Sequence, residues 1–436
     1  MELQHGRLRW PLIAGLSVST VVAGQFAGWN FGLANGWSNM FAATLLSAAL
    51  YTGLALCVAE LSAALPSAGG FSAYVREAFG RFPGFLTGFA VFVALAIGTG
   101  VAANFLGSYV SSLLGIEGWP IKLAMFVLVI AVHLCGVGEA LGLVLAAGVV
   151  AVLSLLLFCI SCLPHFHIEN LTGAQSGASL SPRLIFRSIP FAIWLFLGLE
   201  QAAIASEEAH DPGRTMPRAL IVAIAILVVT ACGVMIFAPG VAGTAAVAQA
   251  GDPLYVALGF GSGGKPSGLM PAIIGLGAIF GLFATFFSLC YAASRQLFSL
   301  ARDNGVPSIF GATNRRGAPA AALVTIGIIG MPISTLPADS ILLGVVLLLA
   351  TTYVAMLAAF LKLRMTRMDL HRPFKAPFGS ALAAITLALA GVAVVACFQL
   401  SWPVLGGVCG AMIVGVCFYL LCRKDPKEQT HAAGSS

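Results

Sequence analysis

Glu200 stands where a charged side chain is costly. It lies in Trp194-Leu195-Phe196-Leu197-Gly198-Leu199-Glu200-Gln201-Ala202-Ala203, an otherwise apolar stretch. A carboxylate at membrane depth marks either function or a helix-packing group bonded to a neighbour. Its chemistry is to hold an ammonium head, to partner a gate, or to carry a proton. Near the amino end, Val22-Ala23-Gly24-Gln25-Phe26-Ala27-Gly28-Trp29-Asn30-Phe31-Gly32 spaces three glycines by four residues, with Gln25 and Asn30 among them. That pattern is either a small-residue packing stripe or a helix interrupted at mid-membrane. In the second case, bared amides and carbonyls replace water around a polar solute.

These groups need a scaffold built for lipid. The 436-residue chain is 59% hydrophobic and 9% charged, with 50 glycines and a mean hydropathy of +0.98. A soluble domain carries roughly 25% charged residues, so this chain cannot clothe a water-exposed surface. Apolar runs of about 20 residues give about twelve spans, near 11–34, 39–63, 83–113, 121–137, 141–163, 186–206, 217–240, 269–299, 319–336, 340–361, 380–400 and 403–422. Only Gly136, Gly138 and Glu139 mark the turn between the fourth and fifth. The loops 164–185 and 241–268 are too short to be domains. Eighteen of the 22 Lys and Arg fall on one set of alternate segments, including Arg7, Arg9, Arg76, Arg81, Arg302, Arg364 and Lys424. Only Lys122, Arg183, Arg187 and Lys265 fall on the other. The positive-inside rule then places both termini in the cytoplasm. The net charge of +6 is topology, not a nucleic-acid footprint. The ten cysteines scatter through apolar runs without a CxxC pair and read as core. The first apolar run has no small-residue cleavage site, so no signal peptide is expected.

The expected fold class is all-α, one polytopic membrane domain over residues 1–436. Two interrupted helices about five spans apart match the five-plus-five inverted-repeat plan, with helices 1 and 6 discontinuous. The repeats cover 10–163 and 186–363; two extra helices occupy 380–422, and a polar cytoplasmic tail covers 423–436.

Four motifs, each at a span end, carry a resemblance over nearly the whole chain. They are the glycine-interrupted first span; Ala59-Glu60-Leu61-Ser62-Ala63-Ala64-Leu65-Pro66-Ser67-Ala68-Gly69-Gly70; Gly198-Leu199-Glu200 with Ser206-Glu207-Glu208-Ala209-His210-Asp211-Pro212-Gly213-Arg214; and Ser294-Arg295-Gln296-Leu297-Phe298-Ser299-Leu300-Ala301-Arg302-Asp303-Asn304-Gly305. The chain resembles the amino acid–polyamine–organocation superfamily. Gly28-Trp29-Asn30-Phe31-Gly32-Leu33 and Tyr291-Ala292-Ala293-Ser294-Arg295-Gln296 are similar to the bacterial ethanolamine permeases. The resemblance implies alternating-access uptake of a small amine, most simply ethanolamine, across the bacterial inner membrane. Amino acid carriers of the superfamily have small residues where this chain has Trp29 and Asn30. Trp29 would crowd a carboxylate there, or it faces a neighbouring helix or lipid.

The substrate-binding candidates are Gln25, Phe26, Ala27, Gly28, Trp29, Asn30, Trp194, Leu197, Gly198, Glu200 and Phe286. The aromatics offer faces to a cation. Gln25 and Asn30 either bind an amine or hydroxyl, or bond the freed helix backbone. Glu60, Glu200 and Ser288 are the gating or coupling candidates. Glu60, Glu207, Glu208, Asp211, Arg295 and Asp303 fall at inner span ends, and His133 reads as a packing histidine. The coupling ion is H+ or Na+. A sodium ion would draw on first-span carbonyls and the hydroxyls of Thr285 and Ser288; Ser288 alternatively bonds its own helix. The fifth span lacks Lys and Arg, so the family's lysine in place of sodium is missing. No metal or cofactor is expected. The partners are a small amine and the bilayer, with no nucleic acid, and the protein is a monomer or homodimer. The alternatives are an amino acid permease of the same superfamily, a channel, and an intramembrane enzyme. For the last, HExxH, GxSxG and Walker motifs are all missing.

Overall fold

A computed structural model describes residues 8–67, 69–135, 140–172, 179–259, 266, 268–399 and 401–422. The expected turn at Gly136–Glu139, the basic residues Arg7, Lys265 and Lys424, and the tail 423–436 lie outside the described residues. Among the described residues the chain is helical throughout, apart from one isolated bridge between Leu8 and Ala209.

Among the described residues nine helices are long and apolar enough to cross a membrane, and the pair Trp10–Val21 and Ala23–Asn35, bent by 41°, makes a tenth candidate span. The shorter apolar helices Trp119–Cys135 and Ala320–Ile333 complete the expected twelve. The protein is an all-α, multi-pass membrane protein. In chain order the other spans are Trp37–Ala64, Arg81–Leu114, Ala140–Cys162, Pro182–Trp194 with Leu199–Glu207, Pro212–Ala242, Leu269–Arg302, Ala338–Thr366, Ser380–Ala396 and Trp402–Cys422.

The third and eighth spans, 34 residues each, are the longest helices and pack against one another along the centre. At 1.5 Å per residue each reaches about 50 Å, more than the ~30 Å hydrocarbon layer. The third begins after Gly80 (φ 93°) and ends at Gly115 (φ 70°), where a left-handed residue stops the helix. Burial sorts the spans: 89% of the apolar window of the third is buried, against 11% for the twelfth, which faces lipid. Between the seventh and eighth spans in sequence, the short helices Thr244–Ala248 and Pro253–Gly259 pack against the bundle.

At the basic end of the bundle, Glu60 is fully buried and fully bonded. It accepts hydrogen bonds from Arg364 Nε (3.0 Å) and Nη2 (2.6 Å), and from the Ala376 amide (2.7 Å). Arg372 Nε stands 3.1 Å from its other face. Glu60 therefore ties the second span to the end of the tenth and to the segment beyond it. A buried carboxylate is tolerated because every lone pair meets a donor. Glu60→Gln strands two guanidinium groups and is expected to cost about 3–5 kcal/mol. This reads as a lower unfolding midpoint in detergent micelles; a wild-type midpoint would show that the clamp contributes nothing.

Candidate functional site

The first span comes apart where its glycines sit. Ala27 is extended (φ −158°, ψ 161°) and Gly28 takes φ 100°, which L side chains rarely adopt. Beyond it the chain winds into the tighter turns of Trp29–Asn35. Unsatisfied peptide groups are costly at membrane depth, and three of those freed here meet side-chain partners. The Tyr109 hydroxyl donates to the Phe26 carbonyl (2.9 Å), and Trp194 Nε1 donates to the Ala27 carbonyl (3.0 Å). The Gly28 amide donates to Asn30 Oδ1 (3.0 Å).

The sixth span repeats the arrangement. Regular helix ends at Trp194, Gly198 takes φ 108°, and tight turns resume over Leu199–Glu207. The Gly198 amide donates to Glu200 Oε2 (3.1 Å). Each break is thus a glycine of positive φ whose amide is capped by the side chain two residues on, Asn30 in one and Glu200 in the other. Glu200 is 3% exposed, also accepts from Gln201 Nε2 (3.4 Å), and has the Tyr353 hydroxyl as a further hydrogen-bond partner. That hydroxyl lies 2.9 Å from the hydroxyl of Tyr51. A buried polar line therefore joins the sixth, tenth and second spans.

The two breaks meet face to face. A Cβ on Gly28 would lie 2.5 Å from Trp194 Nε1 and 2.9 Å from Leu342 Cδ1, and Gly24 abuts the Trp194 carbonyl. Between the breaks and the third, eighth and tenth spans lies a cavity of ≈ 20 Å³. That is room for about one water. Its walls include Thr20, Gly24, Phe105, Trp194, Leu197 and Thr285. Trp194 stands in the wall between the two breaks.

The structure gathers the sequence candidates unevenly. Trp194 and Leu197 line the cavity, and Ala27, Gly28, Gly198 and Glu200 form the breaks beside it. Trp29 is fully buried and turns back, donating from Nε1 to the Gln25 carbonyl (3.0 Å). Asn30 reaches away: its Nδ2 donates to the carbonyls of Val247 (2.9 Å) and Ala250 (2.9 Å), pinning the short helix Thr244–Ala248 over the break. Gln25 Nε2 donates to the Leu227 carbonyl (2.9 Å), while its Oε1 is buried without a partner. Of the two expected readings for these amides, Asn30 follows the backbone-bonding one. Phe26 packs edge-on to Tyr109, and Phe286 packs edge-on to Phe126, behind the cavity wall. Thr285 Oγ1 donates to the Ser19 carbonyl (2.8 Å) and accepts from the Ala23 amide (3.3 Å). Ser288 is half-buried, and among the described residues no hydrogen bond joins it to the first span.

Tyr109, Tyr51, Tyr353 and Asp252 were not among the sequence candidates. The tyrosines sit in apolar runs with no neighbouring polar pattern to mark which face looks inward. Asp252 begins the short helix Pro253–Gly259 and is 8% exposed; burial raises its carboxyl above the ordinary value, opposed by a hydrogen bond from Ser112. His133 stacks on Phe287 (4.0 Å), as a packing histidine does.

A model of the amino acid permease family matches residues 12–418. An uncharacterized transporter of Rhizobium meliloti is 26% identical over 69% of this chain and 66% of its own length. A methylthioribose transporter of Bacillus subtilis is 26% identical over 59% and 58%. A branched-chain amino acid permease of Lactococcus lactis is 25% identical over 72% and 69%. The chain thus spans about two thirds or less of the length of most of these relatives, and their names span more than one kind of solute.

The two break glycines differ in what surrounds them, which orders their tolerance to substitution. Gly198→Ala meets strain of about 1–2 kcal/mol from the left-handed backbone, with Thr20 Cγ2 at 3.3 Å. Gly28→Ala meets the same strain plus a clash with Trp194 and Leu342, worth about 1–3 kcal/mol more. Unfolding midpoints in micelles should fall in that order, and the reverse order would contradict the interlocked breaks.

Proposed function

The chain belongs to the amino acid permease family, and we propose that it is a secondary transporter carrying a small amine of ethanolamine size by alternating access. One observation supports this substrate class above the others. Both break amides, those of Gly28 and Gly198, already donate to side-chain oxygens of their own segments. A carboxylate would need such amide donors. An ammonium needs acceptors instead. Glu200 supplies a negative charge beside the sixth break, and Trp194 in swinging away releases the Ala27 carbonyl. The apolar walls at Leu197 and Phe105 suit a short carbon skeleton. Glu200 is the substrate-facing acid on this reading, Trp194 the moving gate, and Glu60 a fixed clamp.

The matching caps at Gly28–Asn30 and Gly198–Glu200 support two related halves, 10–163 and 186–363, working as an inverted repeat. The charge bias along the chain supports cytoplasmic termini and a place in the bacterial inner membrane. A second reading, an amino acid permease, is favoured by the branched-chain amino acid permease among the relatives.

Uptake of labelled ethanolamine into proteoliposomes separates the two. It should saturate, show counterflow, and be competed by short amines but not by leucine or alanine. Glu200→Gln should reduce it at least about tenfold, the loss of roughly 1.4 kcal/mol of ammonium binding. Leucine uptake without ethanolamine uptake would reject the amine and establish the second reading. The same vesicles under imposed proton or sodium gradients assign the coupling ion.

A further inference from the structure

A second cavity lies away from the helix breaks. It is a groove of ≈ 540 Å³ at the basic end of the bundle, bounded by Arg76, Phe79, Arg81, Phe82, Arg302 and Tyr419. That volume is within the ~300–1,000 Å³ of small-molecule sites. Three span ends meet there: the third begins at Arg81, the eighth ends at Arg302, and the twelfth ends three residues past Tyr419. The groove is therefore at headgroup level.

Its charge is unbalanced. Arg76 is paired with Asp303 (2.8 Å). Among the described residues neither Arg81 nor Arg302 has a carboxylate partner, and Lys362 lies over the Phe79 ring (4.6 Å) at the rim. The opposite wall is aromatic. Phe82 and Phe85 pack on Tyr419 at 5.1 and 4.9 Å, and Phe79 and Phe82 are 41% and 40% exposed. Next to Tyr419 in the twelfth span, Leu420 and Leu421 are 66% and 81% exposed. Cations that lack acids, an aromatic collar and an exposed apolar helix together describe one ligand: a phosphate with fatty chains attached.

We infer that this groove is a binding site for an anionic phospholipid, with the headgroup phosphate on Arg81 and Arg302 and an acyl chain along the twelfth span. A soluble phosphate would use the arginines but not the aromatic wall. Clusters of basic residues at a membrane surface attract anionic headgroups.

The test uses the full-length protein in micelles, exchanged against an equimolar mixture of phosphatidylglycerol and phosphatidylcholine, with retained lipid measured by mass spectrometry. Two arginines, each worth about fivefold at an anionic surface, predict phosphatidylglycerol enrichment of about 25-fold. Arg81→Gln with Arg302→Gln should abolish the enrichment, while the paired Lys substitutions retain most of it. Unfolding midpoints in zwitterionic micelles establish that the variants fold. If the double Gln variant does not fold, Arg302→Gln alone should lower the enrichment about fivefold. Unchanged enrichment in the Gln variants would overturn the site. Release of the lipid by millimolar glycerol 3-phosphate would also overturn it, in favour of a soluble phosphate ligand.

Discussion

The hydrogen bond from Trp194 Nε1 to the Ala27 carbonyl joins the interrupted sixth span to the interrupted first span. Hydrocarbon offers no water to a broken helix, so a break survives only if protein groups satisfy what it bares. Here each break is satisfied partly from within, and the first also by the sixth span. Asn30 and Glu200 cap their own glycine amides, Tyr109 takes the Phe26 carbonyl, and the sixth span donates its indole to the first. Remove that indole contact and a buried carbonyl is orphaned at mid-membrane, a loss of about 1–3 kcal/mol. The same indole lines the cavity, so the group that satisfies the break also bounds the space beside it.

A division of labour among the charged and polar groups follows. Glu60 lies at the basic end, saturated by two arginines and an amide, and acts as a rivet between the second and tenth spans. Glu200 lies between the breaks, bonded to an amide, a glutamine side chain and a tyrosine hydroxyl, all of which can exchange partners. No permanent cation neutralises it among the described residues. A carboxylate held by neutral groups can accept a positive guest, whereas one held by guanidinium groups cannot without breaking the fold.

Much of this was legible in the sequence, and the reason is local. Spans are runs of apolar residues, and such runs stand out in the string. The breaks were visible because only glycine readily takes the φ values that Gly28 and Gly198 adopt. Three-dimensional partnership was not legible. Nothing in the string tells that Trp29 folds back on Gln25, or that Asn30 reaches more than two hundred residues ahead to Val247. Tyr109 and Tyr353 are each one of several polar residues in long helices, and which of them look inward is set only when the neighbours are placed. Phe286 is one of 29 phenylalanines, and its place behind the wall was set by packing against Phe126.

The smallness of the central cavity has a consequence for the bundle. With room for about one water between the breaks, a guest of several heavy atoms fits there only after the walls part, so the filled bundle must differ in shape from the empty one.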